Sequence, residues 1–348
     1  MLRFSKDQLM TTTTALLIAS GCDPREAKVI SDILIWCDQI GRHNQGIWRL
    51  PLLTKRFSQG LIKSPCQAKY SQLKPAVMLM DAQQGSGHYI AQQAMDKAIA
   101  LAKHNGVGVI GVHNSNFFGA GAYYINQACQ SGMIGIGLSN SFPKVAAYGG
   151  VKPVLGTNPF AFAAPRRNGQ HLLLDMATSA SAGSSITKNK EQGKTLDQDI
   201  AIDMEGNAIT DPALVSQGAL LPFGGAKGFG LSLFVEILSG VLTGAGFSHG
   251  VNSMINDYKN SGKNGHFFIA LDISSFIDSD YYYQRIEELL ALVKLSHGSK
   301  KILYPGEIRW DHYQQSLIKG IPIDSDTIQT LSVLCEQYQV QQPMVASL

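Results

Sequence analysis

Three short segments carry residue types and spacings that could hold a small anionic ligand. The first is Gly224-Gly225-Ala226-Lys227-Gly228-Phe229-Gly230. Glycines let the backbone come close to a ligand. The helix expected after them offers free N–H groups and the positive end of a dipole, and Lys227 adds a full charge. The same glycines would equally build a tight turn that packs a buried helix, leaving Lys227 solvated. The second segment, His113-Asn114-Ser115-Asn116-Phe117-Phe118-Gly119-Ala120-Gly121, ends a strand and opens a helix. Ligand contacts and a simple capped helix start are both open there. The third, Gly156-Thr157-Asn158-Pro159, is a polar turn between apolar strands. Its Thr157 and Asn158 hydrogen-bond either a substrate or their own backbone.

Other chemistries lack their residues. Gly85-Ser86-Gly87 precedes a helix but follows the polar run 81–84, with no acidic residue at the later spacing of a dinucleotide fingerprint. No G-x-x-x-x-G-K-[ST] pattern is present. Cys22, Cys37, Cys66, Cys129 and Cys335 are far apart, form no CxxC pair and have no histidine at metal-ligand spacing. They read as reduced thiols of a cytoplasmic protein without a metal site. Basic residues are scattered and the net charge is only +3, so no nucleic-acid partner is expected. The apolar stretch 15–19 is too short for a leader and reads as an ordinary helix, and no stretch is long enough to span a membrane.

The elements that must position these residues follow from periodicity. With 348 residues, 45% of them hydrophobic and 16% charged, the chain can bury a large core, in two parts. Ser5 and Asp23-Pro24 open two helices within the first 45 residues. A third helix runs from about 88 to 104 with Gly106 as its stop. Glycine-rich strands occupy much of 107–164, interrupted by a helix at about 120–130. Further strands are expected at 172–176 and 267–273, and helices at about 280–295 and 326–339. The apolar run 231–242 is expected to form a buried helix. Segments 182–218 and 248–265 are polar and read as surface excursions. Helices thus bracket a strand-rich middle, which suggests an α/β protein whose first part is completed by the C-terminus.

Taken together, the stretches GIWRLP (46–51), HNSNFFGAGAYY (113–124), LGTNPFAFAAP (155–165), LLLDMATS (172–179), LPFGGAKGFGLSL (221–233), GHFFIALDI (265–273) and YPGE (304–307) resemble the malate/L-lactate dehydrogenase type 2 family. That family includes ureidoglycolate, sulfolactate and 2,3-diketogulonate enzymes and Δ1-piperideine-2-carboxylate reductases. The resemblance implies a homodimer that uses NAD or NADP, the two not distinguished, on a small carboxylate substrate. It implies an α/β fold with a non-Rossmann nicotinamide-binding domain, built on a mainly β central sheet, at 116–296. A helical domain for substrate binding and dimerisation would be formed by 1–115 with 297–348. Cofactor contacts would come from Asn116, Phe117, Phe118, Gly119 and Ala120; from His171, Leu174, Asp175, Met176 and Ala177; from Ala226 and Lys227; and from Gly306, Glu307 and Ile308. Thr157 would face the substrate, and Arg49 would grip its carboxylate, a task that suits a planar guanidinium.

The chain departs from the family where protons are handled. The usual Ser-His-Gly is Asn44-Gln45-Gly46, so Gln45 stands where the histidine donates a proton, and it cannot do so at neutral pH. Asn44 is expected to contact substrate. The acidic partner of some members falls at Thr187, and the family's second histidine is Phe117. Loss of a general acid costs about 10²–10⁴-fold in rate. His43 is the nearest substitute if the local chain is extended, because residues two apart then share a face; an exposed loop histidine is the alternative. A cyclic imine that enters already protonated would need no donor. Asp175 either positions the cofactor or a water, or holds a turn. The expected function is reduction of a small 2-oxo acid or cyclic imino acid, with a catalytically impaired nucleotide-binding paralogue as the alternative.

Overall fold

The computed structural model describes residues 1–296 and 301–345. Strand β1 (Leu2–Phe4) leads into α1 (Lys6–Ala19), whose cap Ser5 forms a reciprocal box with Gln8. Helix α2 (Pro24–Gln39) starts where the Asp23 carboxylate accepts the N–H groups of Arg25 and Glu26. Two tight 3-10 turns, His43–Gln45 and Ile47–Arg49, connect it to α3 (Leu50–Ser58). The hairpin β2 (Lys69–Lys74) and β3 (Val77–Asp81) precedes α4 (Gly87–Asn105), which stops at Gly106 with φ +78. Next come β4 (Val107–Ser115), α5 (Gly121–Gln130), β5 (Met133–Ser139), β6 (Val145–Ala146), β7 (Pro153–Leu155), β8 (Phe160–Ala164) and β9 (Leu172–Met176). Beyond them lie α6 (Gly183–Glu191), β10 (Ala201–Ile202), β11 (Ala219–Leu220), α7 (Ala226–Glu236) and β12 (Asn264–Asp272). The chain closes with α8 (Ser279–Leu295), α9 (Glu307–Lys319), β13 (Ile321–Ile323) and α10 (Ser325–Tyr338).

Seven strands form the central sheet in the order β2-β3-β4-β12-β5-β8-β9, antiparallel except where β3 and β4 run parallel. On one face α4 and α5 pack closely, because Ala91, Ala94, Ala98 and Ala102 are small and Gly108 lies against the Ala98 carbonyl. A four-stranded sheet, β10-β11-β6-β7, gathers its own small core around Val145, Leu155, Leu196 and Leu220. The 182–218 excursion is therefore folded: it supplies α6 and β10 and leads directly into β11.

Both termini share one helical core, from Phe4 through Phe57 to Leu334, and β1 pairs with β13. The central sheet crosses the boundary expected at 115/116, with β2, β3 and β4 before it and the other four strands after it. The boundary expected at 297 lies outside the described residues.

The expectation of a buried 231–242 helix is corrected. Helix α7 ends at Glu236 and passes into a π-type turn, Ile237–Val241. It buries Ser232, Val235 and Glu236 and exposes Leu233, Phe234, Ile237, Val241 and Leu242. The inward face is polar because Glu236 and Ser232 bind Asn158. The apolar residues are left to point outward.

Candidate active site

One end of the central sheet assembles the site. Strands β4, β5 and β9 finish there and β8 and β12 begin there, as the pairings Ser115 with Asn264, Ser139 with His266 and Phe160 with Met176 show. His266 bridges the strand ends: its two ring nitrogens lie 2.8 Å from the Ser139 and Ser115 hydroxyls. Its ring stacks on Phe118. Burial pushes its pKa down to about 3, so it works as a neutral link between strands.

The loops leaving these strand ends line a cleft of about 220 Å³. Asn44, Gln45, Arg49, Phe117, Phe118, Gly119, Thr157, Asp175 and Ala177 all face it. Arg49 thus meets Thr157 from the opposite part of the chain. The Arg49 guanidinium lies 4.8 Å from the Trp48 ring centre and 5.1 Å from that of Phe117. It has no carboxylate partner among the described residues, and its Nε is buried without a hydrogen bond. Burial lowers its pKa to about 10. An anion brought to Arg49 would therefore meet an uncompensated, poorly hydrated cation.

The floor of the site is tightly tied. Arg42 donates to the Asp175 carboxylate at 2.9 Å, and the same oxygen accepts the Ala122 N–H at 3.2 Å. Thr157 is placed by Ser141, whose hydroxyl accepts the Thr157 N–H at 3.0 Å. Next to it Asn158, at φ +32, donates to Ser232 and to Glu236 Oε2 at 2.5 Å. The other Glu236 oxygen accepts the Ser248 N–H at 2.8 Å, and burial raises the Glu236 pKa. So α7, which opens at Ala226 and carries Lys227 in its first turn, anchors the Thr157 turn from below.

His43 is corrected. Residues 43–45 form a 3-10 turn, in which neighbours two apart point to different faces. His43 is not among the cleft-lining residues. Its Nδ1 lies 2.9 Å from Asp38 Oδ1, and this bond holds its pKa above the ordinary histidine range. The other Asp38 oxygen accepts the Ile47 N–H at 2.8 Å, so the pair braces the turn that carries Gln45 and Arg49. Gln45 Oε1 is buried without a partner among the described residues.

The structure divides the expected cofactor residues. Phe117, Phe118 and Gly119 line the cleft, whereas Asn116 is spent on scaffolding. Its amide donates to the Gln84 and Gly85 carbonyls, and its oxygen accepts the Gly262 N–H. Ala120 caps α5 and is buried. From 171–177 only Asp175 and Ala177 reach the cleft. His171 Nδ1 accepts the Arg166 N–H, and burial brings its pKa to about 4. Leu174 and Met176 lie along β9. Gly306, Glu307 and Ile308 sit beside that strand, where the Leu173 N–H donates to the Pro305 carbonyl. Glu307 is paired with Lys294, and Ile308 is exposed. Ala226 and Lys227 are exposed and do not line the cleft. They open α7, and the backbone ties the turn before them to the site, since the Phe223 N–H donates to the Thr178 carbonyl and the Thr178 N–H to the Thr157 carbonyl.

Several lining residues carry no signal in the sequence. Lys144 reaches the cleft, as do Ala182 and Gly183 at the start of α6 and Asn252, Met254 and Ile255 from the 248–265 segment. Thr187 of α6, which the resemblance matches to an acidic partner, lines it as well. Lys144 is a lone lysine between Phe142-Pro143 and Val145, with no motif around it. Arg56 holds the 248–265 segment in place through the carbonyls of Met254, Asp257 and Asn260. Among the described residues no cluster of three or more histidine, cysteine, aspartate or glutamate side chains could hold a metal ion.

A family profile described as malate/L-lactate dehydrogenase matches residues 4–332. The L-sulfolactate dehydrogenase of Methanothermobacter thermautotrophicus is 32% identical over 339 residues, covering 97% of this chain and 98% of its own. The malate dehydrogenase structure from Entamoeba histolytica superposes with a TM-score of 0.93 at 29% identity, covering 98% of this chain and 99% of that one. The Δ1-piperideine-2-carboxylate reductase structure from Pseudomonas syringae superposes with a TM-score of 0.88 at 27% identity, covering 96% and 100%. Other relatives carry NAD(+) or NADP(+) in their names.

Proposed function

The chain belongs to the malate/L-lactate dehydrogenase family, and on that premise we propose that its cleft reduces a small 2-oxo acid or cyclic imino acid with NADH or NADPH, and runs the reverse oxidation of a 2-hydroxy acid. One observation carries this reading. Arg49, half-buried with its Nε enclosed and without a counter-ion among the described residues, shares a small cleft with the hydrogen-bonding side chains of Asn44, Gln45 and Thr157. Such a cation is stabilised by a carboxylate, and the neighbouring amides and hydroxyl orient the group attached to it.

The residues present fit a nicotinamide cofactor. Phe117 and Phe118 offer aromatic surface at the cleft wall. Arg309, whose Nη1 is buried without a partner among the described residues, donates to the Asp175 carbonyl where β9 meets 306–308. Gly306, at φ +99, lets the 305–308 turn lie directly against β9, where a Cβ would stand 2.9 Å from the Leu173 nitrogen. Phe117–Gly119, residues 174–177 and 306–308 would hold the cofactor, with Ala226 and Lys227 touching it only outside the cleft. When bound, it supplies the hydride. Arg49 fixes the substrate carboxylate, Thr157 and Asn44 orient the reacting group, and Trp48 and Phe117 shield the guanidinium from water.

The assembly we propose is a homodimer, joined through the outward apolar face of α7. A reducing, cytoplasmic setting suits the five unpaired cysteines. The test is a panel of 2-oxo acids and cyclic imino acids with each reduced cofactor, followed by nicotinamide absorbance. Turnover of at least one member with one cofactor is expected. Tight cofactor binding by calorimetry without any turnover would instead establish an impaired paralogue and overturn the reductase reading.

A further inference from the structure

We propose that Lys144 is the proton donor for keto-acid reduction, taking over the work of the histidine that Gln45 replaces. The proposal rests on the reductase reading above and adds to it the identity of the acid.

The cleft offers few candidates. Asn44, Gln45, Ser139, Ser141 and Thr157 are amides and hydroxyls, none of them an acid near neutral pH. Arg42 and Asp175 are paired with each other. Arg49 is committed to the carboxylate and stays charged. His43 is tied to Asp38 outside the lining, and His88, fully buried under the Phe117 ring, has its pKa pushed to about 3. Lys144 is the remaining ionisable N–H among the described lining residues.

Its position is built rather than loose. The Lys144 N–H donates to the Leu155 carbonyl at 2.8 Å, and its carbonyl accepts the Leu220 N–H at 2.8 Å, so neighbouring strands hold it on both sides. Its Nζ lies 4.7 Å from the Phe142 ring centre. A Cβ at Gly183 would stand 3.8 Å from Nζ, an ordinary contact distance, so the ammonium lies against the start of α6. Nζ has no hydrogen bond or carboxylate among the described residues. Of the groups facing it Arg49 is charged, while α6 and the 252–255 segment present Ala182, Gly183, Thr187, Asn252 and Ile255, all uncharged. Burial, and then the Arg49 charge, hold its pKa below the ordinary lysine value, which makes it a better donor.

The step balances. The C2–oxygen π bond opens as C2 gains the hydride supplied by the reduced cofactor. The electron pair passes to oxygen, which forms its O–H bond with a proton from Nζ. The neutral amine left on Lys144 takes a proton from solvent before the next cycle.

The test compares Lys144→Ala and Lys144→Arg with the wild type on pyruvate, oxaloacetate and Δ1-piperideine-2-carboxylate. Both variants should lose about 10²–10⁴-fold in keto-acid kcat and keep most of the imine reduction, whose substrate enters protonated. Ethylamine should partly rescue Lys144→Ala on keto acids. Wild-type keto-acid reduction should fall as pH rises through the Lys144 pKa, and this limb should vanish in Lys144→Arg. In the cofactor-free protein, competitive acetylation read by mass spectrometry should label Lys144 at lower pH than exposed lysines, with protection by oxamate. Full keto-acid turnover in Lys144→Arg, equal loss on both substrate classes without amine rescue, or a wild type that reduces only the imine would each overturn the proposal. A wild type that reduces none of the three with either cofactor brings down the reductase reading itself.

Discussion

At the scale of residues, the site is a problem in unbalanced charge. Four ionisable side chains reach the cleft; Arg42 and Asp175 neutralise each other, and Arg49 and Lys144 do not. Burying cations without partners costs free energy that a bound anion returns. A hydrogen-bonded contact to a charged group is worth about 1.5–3 kcal/mol. Arg49→Ala should therefore raise KM for the 2-oxo acid by about 10- to 100-fold, with a smaller change in kcat. Arg49→Lys should recover only part of that, since a point charge cannot reproduce the two-pronged grip. Steady-state kinetics separates the cases: an unchanged KM in Arg49→Ala would place the substrate carboxylate elsewhere. Arg49 could be found in the sequence because its neighbours form a motif. Lys144 could not, because the feature that marks it is the absence of a partner, and that exists only in three dimensions.

At the scale of elements, the 40–50 region shows why local reasoning reached some positions and missed others. The motif points to Arg49 and Gln45, which both line the cleft, whereas only an extended chain would bring His43 to the same face. The chain turns instead, because the buried Asp38 carboxylate takes both His43 and the Ile47 N–H and winds 43–49 into two tight turns. That long-range demand has no periodic signature. Most helices and sheet strands were legible through caps, glycine stops and alternation. The inward polar face of α7 was not, since Ser232 and Glu236 are buried to bind Asn158 and, through Glu236, the Ser248 N–H. Gly46 makes the same point more sharply. A methyl group there would stand 2.3 Å from the Asp38 carboxylate atoms, with no room to move aside. Gly46→Ala should cost roughly 1–3 kcal/mol in stability and displace the turn bearing Gln45 and Arg49. The expected result is a lower melting temperature together with a raised KM. A variant with wild-type melting and kinetics would show that Asp38 does not set this turn.

At the scale of the whole molecule, α7 is built inside out for a lone chain. Its buried side carries serine and glutamate, while Ile237, Val241 and Leu242 are 51%, 57% and 62% exposed, beside Leu233 and Phe234. Fully burying a large apolar side chain is worth roughly 1.5–3 kcal/mol, so a second copy laid against this face gains substantially from the five side chains each contributes. The same helix holds the Thr157 turn through Glu236, so packing its outer face against a partner also steadies one wall of the cleft. Association and substrate binding are then linked through a single element. The wild type is expected to sediment as a dimer at micromolar concentration and the double variant Phe234→Glu with Val241→Glu as a monomer, because burying four carboxylates at a symmetric contact opposes closure. Neither residue lines the cleft, so a rise in KM in the monomeric variant would report the loosened Thr157 turn rather than a lost contact. A wild type that sediments as a monomer at micromolar concentration would assign the apolar face of α7 some other role. An unchanged KM in a proven monomer would cut the link between assembly and site while leaving the dimer surface in place.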